Sequence, residues 1–213
     1  KLQIKYVPDE ETVYTYNLQA GQSDVFLFSR GDGEYQITVN ENIEGNRYSQ
    51  AFAGTCQVAL KDQLTPFLYP NQYVKFTEDS QAVGESQKLV QSAGDDLEAI
   101  AAIYNYVIGN IQYDFDKAAS VQSGYLPDID ETLNTKKGIC FDYAALMTAM
   151  LRVQRIPTKL VVGYAGELYH AWISVYLDGV GWIDNIIYFD GKDWVRMDPT
   201  FAASGGGASE YVG

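Results

Sequence analysis

Histidine and cysteine are scarce in this chain of 213 residues, which has one histidine, His170, and two cysteines, Cys56 and Cys140. That set falls short of the three or four ligands that zinc takes, so no metal site is expected. No apolar run approaches the roughly 20 residues that span a bilayer. No basic stretch followed by an apolar one opens the chain either. Lys1-Leu2-Gln3-Ile4 already alternates as a strand does, as a mature or trimmed chain would. Basic residues are few, with 15 Lys and Arg against 28 Asp and Glu and a net charge of −13. Nucleic acid and anionic membrane both call for a basic patch, so neither is an expected partner. Gly205-Gly206-Gly207 lacks the helix and Lys-Thr of a phosphate loop, and no cofactor is expected. Tyrosine, by contrast, is abundant at 17 residues, which suits strands or a protein or carbohydrate contact surface.

The first 75 residues or so predict an all-β domain resembling a small sandwich. Leu2 to Tyr6, Val13 to Leu18, Val25 to Phe28, Tyr35 to Val39 and Cys56 to Leu60 alternate in part. Turn signals separate them at Gly21-Gln22-Ser23-Asp24, Arg30-Gly31-Asp32-Gly33 and Glu44-Gly45-Asn46. Pro66 to Thr77 reads as a connection. From residue 76 to 203 the pattern is that of a second, α+β domain, and 204–213 reads as a flexible tail. Helices are expected over Ala82 to Ser92 and over Asp95 to Ile111, the latter with an apolar stripe and two acids at its favourable end. A loop is expected from Tyr113 to about Thr135. Cys140 to Arg152 is apolar all round and predicts a buried central helix. Strands follow over Lys159 to Tyr164, Ala171 to Leu177, Trp182 to Phe189 and Trp194 to Met197, with Asp178-Gly179 and Asp190-Gly191 as turns.

Three residues carry the chemistry: Cys140, His170 and Asp198. Cys140 stands where a loop meets the buried helix. The first amides of a helix have no intrahelical partner and the dipole is positive there, so a thiol pKa below about 8.5 is expected. The Cys140 amide is also placed to donate to an oxyanion. Gly138 permits a close backbone approach at the turn. His170 shares a strand face with Trp172, Ser174 and Tyr176, away from the aliphatic face. It is the sole candidate base for the thiol. Asp198, before Pro199, ends a strand and is expected to orient the imidazole, with Asp184 as the rival acid. A Cys56–Cys140 disulfide would consume the nucleophile. Asp114, Asp116, Asp128, Asp130 and Glu131 lack EF-hand spacing and read as a solvated acidic loop.

From about Asp95 to Phe201 the chain resembles the transglutaminase-like superfamily. The resemblance rests on Ile111-Gln112-Tyr113-Asp114, Lys137-Gly138-Ile139-Cys140-Phe141-Asp142-Tyr143-Ala144-Ala145-Leu146, Arg155-Ile156-Pro157-Thr158-Lys159, Val162-Gly163-Tyr164, His170-Ala171-Trp172 and Asp198-Pro199-Thr200. It implies a papain-like α+β core in which a helix bearing Cys140 packs on an antiparallel sheet. It also implies Cys140 as nucleophile, His170 as base and then acid, and Asp198 as orienting carboxylate, with Asp142 and Tyr143 as structural or pocket residues. Trp182 to Trp194 departs from the family pattern as an extra strand and turn. Residues 1 to 75 lie outside the resemblance and are expected to position the protein or contact the cell envelope.

The expected function is acyl transfer on a peptide or glutamine amide of a protein or peptide substrate, through a thioester. Hydrolysis is expected ahead of crosslinking, because the chain is short and resembles the bacterial members. An extracellular or cell-surface setting goes with this. The competing reading is a noncatalytic protein- or glycan-binding module that keeps the fold, against which the intact Cys, His and Asp set argues.

Overall fold

A computed structural model describes residues 1–9, 12–165, 168–184, 187–189 and 194–196. The chain divides into two compact units, 1–66 and 67–213. The expected tail over 204–213 lies outside the described residues.

The first unit is built on one antiparallel sheet. Its strands are β1 (Leu2–Tyr6), β2 (Val13–Tyr16), β3 (Gly33–Glu44) and β4 (Arg47–Val58), in the order β2-β1-β3-β4. Leu2, Ile4, Tyr16 and Tyr35 are buried. The residues over 25–28, expected as a strand, take no ladder. Phe26 lies 5.0 Å from the Tyr16 ring and Phe28 lies 4.7 Å from the Tyr35 ring. Two rings spaced by two residues press this segment onto the sheet instead of along its edge. The β3–β4 hairpin is longer than the alternation suggested, because its outer half is polar (Asn40, Glu41, Asn42, Ser49, Gln50) and is held by backbone pairing.

The second unit is α+β. In chain order its elements are α1 (Gln81–Leu89), α2 (Asp96–Asn110), β5 (Gln112–Tyr113), α3 (Phe115–Ser120), α4 (Ile129–Thr135), β6 (Lys137–Gly138) and α5 (Cys140–Val153). They continue with β7 (Thr158–Ala165), β8 (Leu168–Leu177), β9 (Gly181–Ile183), β10 (Ile187–Phe189) and β11 (Trp194–Arg196). The buried stripe of α2 is Ala99, Ile100, Ile103, Tyr104 and Val107. Helix α5 is buried from Asp142 through Arg152 and shares one core with Ala171, Ile173 and Val175 of β8. Full burial of a side chain such as Leu146 or Met150 contributes about 1.5–3 kcal/mol, so α5 anchors the unit. At its far end Arg152 donates to the Thr158 carbonyl at 3.0 and 2.8 Å and to the Tyr69 carbonyl at 2.6 Å.

Two expected elements of the second unit are corrected as well. The segment from Tyr113 to Thr135 is not a loop: it holds α3 and α4. Their N-caps are Asp114, which accepts from the Lys117 amide, and Asp128, which accepts from the Asp130 and Glu131 amides. Asp130 in turn accepts from the Gln81 and Ala82 amides at the start of α1. These acids are therefore spent on helix ends. The single strand expected over Trp182 to Phe189 is two short ones, β9 and β10, with Asp184 at the break.

Candidate active site

Sheet β7-β8-β9 and helix α5 place His170 and Cys140. Cys140 is the first residue of α5, after the N-cap Ile139. Isoleucine has no acceptor, so the cap comes from within the helix: the Asp142 carboxylate reaches back to the Ile139 amide at 2.8 Å. The amides of Cys140 and Phe141 are left to face the Cys140 thiol, joined by the Ala171 amide from β8. Gly138 is needed here, since a Cβ on it would stand 2.7 Å from the Asp142 Cβ. Both cysteines are free thiols.

Burial pushes the Cys140 thiol above its ordinary range, and the three amides pull the other way without winning. The expected depression of its pKa is thus not met. Burial also lowers the His170 pKa. Both effects favour the uncharged pair of thiol and imidazole at rest.

His170 is buried on β8, opposite Gly163 of β7. It is the chain neighbour of Ala171, whose amide meets the thiol. A Cβ at Gly163 would stand 3.1 Å from the Trp172 indole, so the missing side chain lets that ring lie beside the His170 position. The rival acid Asp184 is exposed, and its carboxylate takes the Ser174 hydroxyl at 2.6 Å. Ser174 is four residues along β8 from His170, about 13 Å at strand rise. Asp198 lies outside the described residues.

Asp142 is fully buried and holds more than its helix cap. Lys117 Nζ donates to one carboxylate oxygen at 2.7 Å and the Tyr125 hydroxyl to the other at 2.6 Å. Lys117 also donates to the Tyr125 oxygen at 2.7 Å. Burial, then Asp142, pushes the Tyr125 hydroxyl up to about 12. The Tyr143 hydroxyl donates to the Ile111 carbonyl and ties α5 to the end of α2. Lys117 and Tyr125 were not singled out from the sequence. They lie in the segment read as a loop, and only the buried Asp142 explains them. Among the described residues no group of three or more His, Cys, Asp or Glu is placed to hold a metal ion. No described helix is long and apolar enough to cross a membrane.

Residues 85–199, more than half of the chain, match the family model of the transglutaminase-like superfamily. The chain belongs to that superfamily. Mouse kyphoscoliosis peptidase is 34% identical over 103 residues, covering 43% of this chain and 15% of that protein. A UPF0252 protein of Methanocaldococcus jannaschii is 37% identical over 98 residues, covering 40% of this chain and 28% of its own. The chain therefore spans less than a third of the length of these relatives. Among solved structures, a Cytophaga hutchinsonii protein proposed to be a cysteine protease superposes with a TM-score of 0.47 at 24% identity, over 66% of this chain and 43% of that one. The periplasmic domain of TgpA from Pseudomonas aeruginosa gives 0.46 at 16% identity, over 84% and 73%. Likenesses at this level add nothing to the assignment, which rests on the matched residues. The matched stretch runs through both Cys140 and His170.

Proposed function

We propose that the protein is a cysteine-dependent acyl-transfer enzyme that hydrolyses peptide or amide bonds. The supporting observation is the meeting of the Cys140 thiol, at the first position of a buried helix, with the amide of Ala171 beside the sole histidine. In this reading His170 takes the thiol proton as sulfur attacks the carbonyl. The amides at the start of α5 donate to the oxyanion that forms. The tetrahedral species collapses to a Cys140 thioester, and the leaving amine departs with the proton from His170. Water, deprotonated by the same imidazole, then releases the acid and restores the thiol. Asp198 is the orienting carboxylate for His170. The substrate is a protein or peptide, and the setting is extracellular or at the cell surface.

The test is alkylation by iodoacetamide at pH 7, followed residue by residue by mass spectrometry. Because His170 takes the proton during attack, Cys140 should react at least about tenfold faster than Cys56 although its resting thiol is uncharged, and His170→Ala should remove that advantage. Equal rates at the two thiols would sink the nucleophile assignment. Asp198→Asn should lower kcat much more than it raises KM.

A further inference from the structure

Lys117 sits against a buried carboxylate two residues from Cys140. Lys117 is drawn in from α3, across from the helix that carries Cys140. Its ammonium stands 4.6 Å from the centroid of the Tyr125 ring and 2.7 Å from the Asp142 carboxylate, whose side chain is 0% exposed. The approach is built by the chain itself. The Asp114 amide donates to the Gly138 carbonyl, Gln112 and Tyr113 pair with Lys137 and Gly138, and Asp114 caps the turn that carries Lys117. The segment that delivers the lysine is thus laced to the residues just before Cys140.

We propose that Lys117 is a positioning residue that neutralises Asp142 and so eases loss of the Cys140 proton as the sulfur attacks. Asp142 is needed for structure, because it supplies the cap that Ile139 cannot. Its negative charge two residues from the thiol opposes thiolate formation, and this opposition is among the causes acting on Cys140. The Lys117 ammonium, on the same carboxylate oxygen that takes the Ile139 amide, opposes that charge while leaving the cap in place. Tyr125 fills the second carboxylate oxygen without adding charge. Among the described residues, the groups that act on Cys140 include the amides of Ala171, Phe141 and Cys140, and Tyr113 from β5 feels both Cys140 and Asp142. None of these is a cation, whereas Lys117 brings one to the Asp142 carboxylate. The proposal rests on reading Cys140 as the nucleophile.

The experiment is the pH profile of Cys140 alkylation by iodoacetamide in the whole chain, with Cys56→Ser to give a single reporter. Lys117→Met should move the profile to higher pH and slow the reaction at pH 7 by roughly three- to tenfold, whereas Lys117→Arg should stay near wild type. Asp142→Asn, which removes the opposing charge, should move the profile to lower pH. Tyr125→Phe changes no charge and should leave the midpoint in place. Shifts of opposite sign at Lys117 and Asp142 cannot come from a loosened fold. Shifts in one direction, or coincident profiles for wild type and Lys117→Met, overturn the proposal. If Asp142→Asn does not fold, Lys117→Met against Lys117→Arg decides alone. Failure of the nucleophile reading looks different, since wild-type Cys140 would then show no dependence on His170.

Discussion

Helices α2 and α5 lie in the same core and begin in opposite ways. At α2 the N-cap is Asp95, an exposed acid whose carboxylate accepts from the Glu98 amide at 2.8 Å. At α5 the N-cap is Ile139, whose side chain accepts nothing, and a buried acid at the third helical position serves the Ile139 amide from behind. The first arrangement uses the end of the helix for stability. The second keeps the amides of Cys140 and Phe141 clear of any capping side chain, so they face the thiol. The helix dipole is present in both, and only one end is left open to spend it on sulfur or on an oxyanion.

The comparison breaks most sharply at Asp142. Asp142→Ala leaves the Ile139 amide unserved, strands the Lys117 ammonium and removes the acceptor of the Tyr125 hydroxyl. Loss of one partner from a buried ion pair costs about 3–5 kcal/mol. Lys117 keeps some solvent, its side chain being 27% exposed, so a loss near 3 kcal/mol is expected. Urea unfolding would read it directly. A loss under about 1 kcal/mol would show that the buried cap is no stronger than the exposed one.

A smaller effect sharpens the same contrast through pH. Burial lowers the His170 pKa, so folding favours its neutral form. The unfolded chain then binds more protons, and stability falls as pH drops through the folded pKa, below about 6.5. The contribution is fully present above that value. Cys140 works in the other direction: its raised pKa gives stability that is present below the ordinary thiol range and is lost as pH rises through the folded value. Between pH 7 and pH 5 the wild-type urea midpoint should therefore fall more than that of His170→Gln. Parallel curves would show that the imidazole is not held neutral.

The two helix ends also show what a sequence can disclose. The helix from Cys140, its burial and its pairing with the strand of His170 were legible from the apolar residues that surround it and from the order of the family segments. The strand face of His170 followed from simple alternation. The thiol's environment did not. Helix-end amides can be read from sequence, but the burial that outweighs them cannot, because it depends on what packs over Cys140 from other elements. Lys117 and Tyr125 were hidden for a related reason. In a stretch of mixed polar residues a lysine reads as solvated, and its buried partner stands 25 positions later. Asp184 shows the reverse case. As an acid on the strand expected beside that of His170 it was a fair rival until the Ser174 hydroxyl claimed it.

The smallest effect belongs to the exposed end. Asp95→Ala removes one side-chain acceptor at the start of α2 and leaves the Glu98 amide to water, which costs about 1 kcal/mol. Water reaches that end, so no buried charge is stranded and nothing near α5 changes its partners. The expected outcome is a small drop in the urea midpoint with an unchanged rate of Cys140 alkylation at pH 7. The measurement separates a cap that only holds a helix from one that also sets a nucleophile. If Asp95→Ala slows alkylation as much as Lys117→Met does, general loosening of the core governs the thiol, and the two helix ends do not differ in kind.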